Sequence, residues 1–244
     1  MDKIVGITLC LFIIILVPFA GIGSYNGYVE SAYRNTITGT YNYTCIITTE
    51  APLYNVTLFI PVPADRSGNS PVVSGFSSGT MNGIPADWET TLYDTGKATM
   101  LKVTTPAIQP PEGTTASSPY TVLISSETTG RFPVETWDPV AAGVLFRPPQ
   151  SLSEMSCPPE YSGAGSRCFT YTTSLFADYN TSADNTVTIT SSVDGRNAWK
   201  IFEPRSNEYH TIIGVTLRGE NHGWTAPDGR LSTGIGTYDA PGDS

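Results

Sequence analysis

TVTITSSV, residues 186–193, with Asp194-Gly195 behind it, decides the fold class. Val187, Ile189, Ser191 and Val193 fall on one face, and Thr186, Thr188, Thr190 and Ser192 on the other. A period of two marks a strand with one buried and one wet face. β-Branched side chains suit such a pleat. Asp194-Gly195 predicts a tight turn, with Ala198–Phe202 returning as the next strand.

The same alternation recurs outward from this stretch. Ile37–Thr49 reads as a strand, and a turn at Glu50-Ala51-Pro52 leads to Tyr54–Val62, with Tyr54, Val56, Leu58, Ile60 and Val62 inward. Pro61 and Pro63 mark a strand exit or an edge. Trp88–Tyr93 and Ala98–Thr104 form a hairpin across Asp94–Lys97, and Tyr120–Ser126 is a further strand. Pro106–Pro119 reads as a loop, and Gly130–Arg167 as a long irregular excursion. Cys168–Ala177 alternates, as does Tyr209–Glu220, and Leu231–Tyr238 follows a turn at Pro227-Asp228-Gly229. The expected fold is all-β: an antiparallel β-sandwich of about ten strands over residues 35–244, in one unit or in halves 35–130 and 165–244.

Residues 1–34 read differently. Ile4 to Ile22, IVGITLCLFIIILVPFAGI, carries no charge. As a helix it spans about 28 Å, close to the hydrocarbon thickness of a bilayer. Lys3 precedes it and the next basic residue is Arg34, so the positive-inside rule places the N-terminus in the cytoplasm and the remainder outside. Tyr25, Tyr28 and Tyr33 suit the outer boundary. The competing reading is a signal peptide cut near Gly21 or Gly23, which exports the chain as well. Membrane lipid is thus the first expected partner, through the N-terminal helix.

Only 14% of the residues are charged, against about 25% in an ordinary soluble domain. The net charge is −9 and no Lys/Arg block occurs, which excludes nucleic acid as an expected partner. Cys157 and Cys168 flank a Pro/Gly/Ser-rich loop, and in an exported domain a disulfide there would staple it. Spacing alone leaves pairings with Cys45 open, although Cys45 lies on the apolar face of its strand. Asn42, Asn55 and Asn180 each begin an Asn-x-Ser/Thr sequon, the first two on polar strand faces and the third in a turn.

Signals of catalysis are sparse. His210 falls on a strand and His222 in Glu220-Asn221-His222-Gly223-Trp224, with no motif tying either to a nucleophile. Gly75-Phe76-Ser77-Ser78-Gly79 matches G-x-S-x-G without the strand–turn–helix context that gives the pattern meaning. No C-x-x-C or calcium loop is present, so no metal or other cofactor is expected. Glu220 with Asp228, Asp239 and Asp243 is the one acidic gathering, and Glu220 with Asp228 the carboxylate pair to watch for glycoside chemistry. Trp137, in Glu135-Thr136-Trp137-Asp138-Pro139, is the best candidate for stacking on a sugar.

The leader Met1–Ile22, the segment LYNVTLFIPVP at Leu53–Pro63, and TLRGENHGWTAPDGRLSTGIGTYD at Thr216–Asp239 together resemble the uncharacterised single-pass surface proteins of methanogenic archaea. The resemblance implies an anchored β-sandwich on a cell envelope and brings no catalytic residues with it. The expected role is structural or adhesive, without catalysis, with envelope proteins or polysaccharide as partners. The alternatives are a carbohydrate-binding or sensory ectodomain and, last, a glycoside-type hydrolase.

Overall fold

A computed structural model describes residues 2–96, 98–146, 152–163 and 165–238, with the side chains of residues 2–11, 13–16 and 18–20 also left out. A helix, α1 (Asp2–Thr36), leads directly into the first strand. Among the described residues no helix is long and apolar enough to cross a membrane. Most of the charge-free run read as membrane-spanning has its side chains outside the described residues.

The remainder is mostly β. The described strands are β1 (Thr38–Thr49), β2 (Leu53–Pro61), β3 (Glu89–Asp94), β4 (Thr99–Ile108), β5 (Tyr120–Gly130), β6 (Ser153–Met155), β7 (Arg167–Thr172), β8 (Leu175–Asn180), β9 (Thr186–Lys200), β10 (Pro204–Arg218), β11 (Asn221–Thr225) and β12 (Asp228–Gly236). They form two antiparallel sheets, a seven-stranded one in the order β5-β1-β9-β10-β12-β7-β6 and a five-stranded one in the order β11-β8-β2-β4-β3. Residues 35–130 and 165–244 contribute strands to both sheets. One hydrophobic core takes Tyr43, Val193 and Tyr209 from the larger sheet and Leu58, Val103 and Tyr179 from the smaller.

The predicted turn at Asp194-Gly195 does not exist. β9 runs straight through it, pairing Gly195 with Tyr41 of β1 and with Tyr209 of β10. The buried face continues past Val193 through Gly195, Asn197 and Trp199. A Cβ on Gly195 would lie 2.1 Å from Tyr209 Cε1, so the glycine makes room for a buried ring instead of bending the chain. Gly229 repeats the device. It belongs to β12, faces Tyr171 of β7, and a Cβ there would meet that ring at 2.5 Å. The connection before β12 is therefore Ala226-Pro227, and of the expected turn Pro227-Asp228-Gly229 the last two residues lie within the strand.

Two further expectations change. Cys168–Ala177 is not one strand: β7 and β8 lie in different sheets, with Thr173-Ser174 between them. Tyr54 points outward, 47% exposed, while Leu53 and Val56 are buried. The cause is Asn55, which adopts φ 53° and shifts the pairing register between Tyr54 and Thr57. Asparagine tolerates this left-handed geometry better than most side chains, and the bulge resets which residues face inward.

β1 and β2 also sit in different sheets, so Glu50–Pro52 is a corner between sheets and not a hairpin. Buried Asn185 holds it. Asn185 Oδ1 accepts from Glu50 N at 3.1 Å and Ala51 N at 3.0 Å, and its Nδ2 donates to Thr49 Oγ1 at 3.0 Å. A short helix, α2 (Pro71–Ser77), interrupts the strands. Ser70 caps it by accepting from Val72 N at 3.2 Å, and Pro71 supplies the preset first turn.

Candidate functional site

The outward face of the five-stranded sheet carries two neighbouring rows. In register, Trp224 of β11 lies opposite Phe176 of β8, and Phe176 opposite Phe59 of β2. The ring centroids of Trp224 and Phe176 are 5.5 Å apart, those of Phe176 and Phe59 5.4 Å, and those of Phe59 and Tyr93 5.3 Å. Each contact is edge-to-face, the arrangement the ring quadrupoles favour. Lys102 of β4 continues the row, its Nζ 5.8 Å from the Phe59 centroid. The two ends are open, with Trp224 59% and Tyr93 51% exposed.

Two residues along each strand, on the same face, runs a polar row: His222, Asp178, Thr57, Thr104 and Glu89, each opposite the next in register. His222 Nδ1 donates to Asp178 Oδ1 at 2.7 Å, and its Nε2 lies 3.9 Å from Glu220 Oε2. The hydrogen bond to Asp178, then the negative charge around it, raises the His222 pKa. A stripe of rings beside a line of hydroxyl, carboxylate and imidazole groups can stack on an apolar surface while hydrogen-bonding its polar edge.

The outward face of the seven-stranded sheet carries a second cluster. His210 Nδ1 donates to the Asp194 carboxylate, directly opposite it on β9. Tyr161 stacks on the imidazole at 5.6 Å and 17°. Beside them is a cavity of about 180 Å³ lined in part by Tyr161, Phe169, Arg230 and Ser232. Burial, and then the Asp194 charge, pushes the Tyr161 phenol up. Ser232 lies opposite His210 in register, and its hydroxyl is against Cys168 Sγ at 3.5 Å. The disulfide Cys157–Cys168 is present, with Cα atoms 5.1 Å apart, and Cys45 is a free, buried thiol.

No family model, curated protein or solved structure matches this chain.

The remaining residues singled out from the sequence are dispersed. Asn42, Asn55 and Asn180 are all exposed. Trp137 belongs to a loop over the seven-stranded sheet and meets Tyr238 edge-on at 4.9 Å. That loop is clamped by buried Asn197, whose side chain accepts from Val134 N at 2.7 Å and donates to Val134 O at 2.8 Å. Ser77 ends helix α2 and donates to Val73 O at 2.9 Å, so its G-x-S-x-G stretch closes a helix where a nucleophile elbow would open one. Glu220 sits beside His222, and Asp228 opens β12. Asp239 and Asp243 lie outside the described residues. Among the described residues no group of three or more His, Cys, Asp or Glu could hold a metal ion.

Sequence reasoning missed the aromatic ladder. Its signal was present: Phe59 and Phe176 each sit between inward residues of their strands, Leu58 and Ile60 in one case and Leu175 and Ala177 in the other. An aromatic side chain at an outward position is the residue to question.

Proposed function

We propose that this chain is a single-pass, membrane-anchored surface protein whose two sheets pack face to face as a β-sandwich and whose role is adhesive, without catalysis. The anchor is Ile4–Ile22, with the N-terminus in the cytoplasm and the β domain outside. Export is in keeping with the Cys157–Cys168 disulfide and with three exposed sequon asparagines, which are the proposed glycan sites. The resemblance to methanogen envelope proteins supports the same placement.

The observation that carries the adhesive reading is the pair of rows on the five-stranded sheet. Sugars offer apolar C–H faces bounded by hydroxyl groups. The ladder Trp224–Phe176–Phe59–Tyr93 suits the faces, and Asp178, His222, Thr57 and Thr104 suit the hydroxyls. The proposed partner is therefore an envelope polysaccharide.

The test is binding of the detergent-solubilised full chain to an oligosaccharide array and to envelope polysaccharide. Trp224→Ala and Tyr93→Ala are each expected to weaken binding roughly tenfold, the scale of an aromatic hot spot. Trp137→Ala should leave it unchanged. Full affinity in the Trp224→Ala, Tyr93→Ala double variant would overturn the proposal.

A further inference from the structure

The turn between β9 and β10 carries Ile201, Phe202 and Glu203, and Phe202 is 62% exposed. A contiguous exposed aromatic patch, unlike a single exposed ring, marks an interaction surface. Here α1 supplies the rest of one: Phe202 stacks on Tyr25 at 6.3 Å and leans on Tyr28 at 5.7 Å. Both tyrosines are themselves more than half exposed, at 57% and 53%. The three rings form one open aromatic patch that joins helix and hairpin.

The height of that patch is fixed by the helix. Tyr25 and Tyr28 lie about 4.5 and 9 Å along the axis beyond Ile22, the last residue of the apolar segment assigned to the anchor, at 1.5 Å per residue. The headgroup layer is about 5–8 Å thick on each side of the hydrocarbon. Phe202, held between the two tyrosines, falls within or at the edge of that layer, where aromatic rings are enriched. The hairpin cannot slide along the helix. Lys200 N donates to Thr36 Oγ1 at 2.9 Å, and Tyr33 packs edge-on against Trp199 at 5.8 Å. Among the charged residues of the tip, Glu203 and Arg205 pair with one another at 3.3 Å.

We infer that the β9–β10 tip is a second membrane contact: Phe202, with Tyr25 and Tyr28, occupies the lipid headgroup layer and seats the β domain on the bilayer. This rests on the anchored reading above.

The experiment uses the full chain in vesicles of phosphatidylcholine and phosphatidylglycerol. The photoreactive p-benzoylphenylalanine replaces Phe202 in one sample and Tyr54, at the far end of β2, in another. Flotation reports the anchor, and mass spectrometry after irradiation reports lipid adducts. The expected result is flotation of both, with lipid adducts at 202 and none at 54. Flotation with position 202 joined only to α1, or with equal adducts at both positions, overturns the seating and leaves the anchor standing. Failure to float overturns the anchored reading, and the seating with it.

Discussion

At the scale of single residues, His222 is the group whose state decides the charge of the proposed binding face. Its hydrogen bond to Asp178 at 2.7 Å raises its pKa above the ordinary 6.5. The contribution of the pair is fully present below 6.5 and fades as pH rises through the raised value. The pair is solvent-exposed, so the readout is the titration itself rather than stability. NMR titration of the imidazole is expected to give a midpoint above 6.5 in the native chain and a lower one in Asp178→Asn. Equal midpoints in the two proteins would refute the coupling. Cys45 is the opposite case. Burial pushes its thiol up to about 11, so it is a packed apolar group rather than a reactive one.

At the scale of elements, alternation made the strands legible and glycine made their ends illegible. Val187 to Trp199 keep one parity throughout, yet Asp194-Gly195 has the composition of a tight turn. What the sequence could not disclose is that Tyr209, fourteen positions on, needs the space above Gly195. The same holds for Asp228-Gly229 and Tyr171. A long-range packing requirement overrode a local preference. The sheet to which each strand belongs was equally hidden, because the corner at Glu50–Pro52 depends on Asn185, far along the chain. The disulfide and the buried Cys45 were legible, since both follow from local patterning. These contacts give a direct test. Gly195→Val places carbon against the Tyr209 ring and is expected to destabilise by about 1–3 kcal/mol or more. Gly214→Ala, whose nearest contact would be Thr190 Oγ1 at 3.6 Å, should have little effect. Urea unfolding of the two variants checks the contrast. Equal midpoints would remove the packing role assigned to Gly195.

At the scale of the molecule, the helix and the domain are joined without a flexible spacer. β1 begins two residues after α1 ends and runs away from it for its whole length. The Asn55 and Asn180 sequons, next to one another through the Tyr54–Asn180 pairing, therefore lie at the end remote from the helix. In the proposed topology, glycans there would crown the domain on the side away from the membrane. The junction has its own small core, in which buried Ile37 and Trp199 are covered by Tyr33 and Ile201, separate from the main core to which both sheets contribute. A separate core implies that the junction opens without unfolding the domain. Tyr33→Ala removes an aromatic pair worth about 0.5–1.5 kcal/mol beyond the area it buries. The amides that report the junction are Ile37, bonded to Tyr33 O at 2.8 Å, and Lys200, bonded to Thr36 Oγ1 at 2.9 Å. In Tyr33→Ala their hydrogen exchange is expected to speed roughly tenfold, the equivalent of about 1.4 kcal/mol, while Ile189 in the centre of β9 exchanges as before. Acceleration at Ile189 as well would mean that the junction and the main core form one cooperative unit. Unchanged exchange at Ile37 and Lys200 would mean that Tyr33 does not hold the domain on its helix.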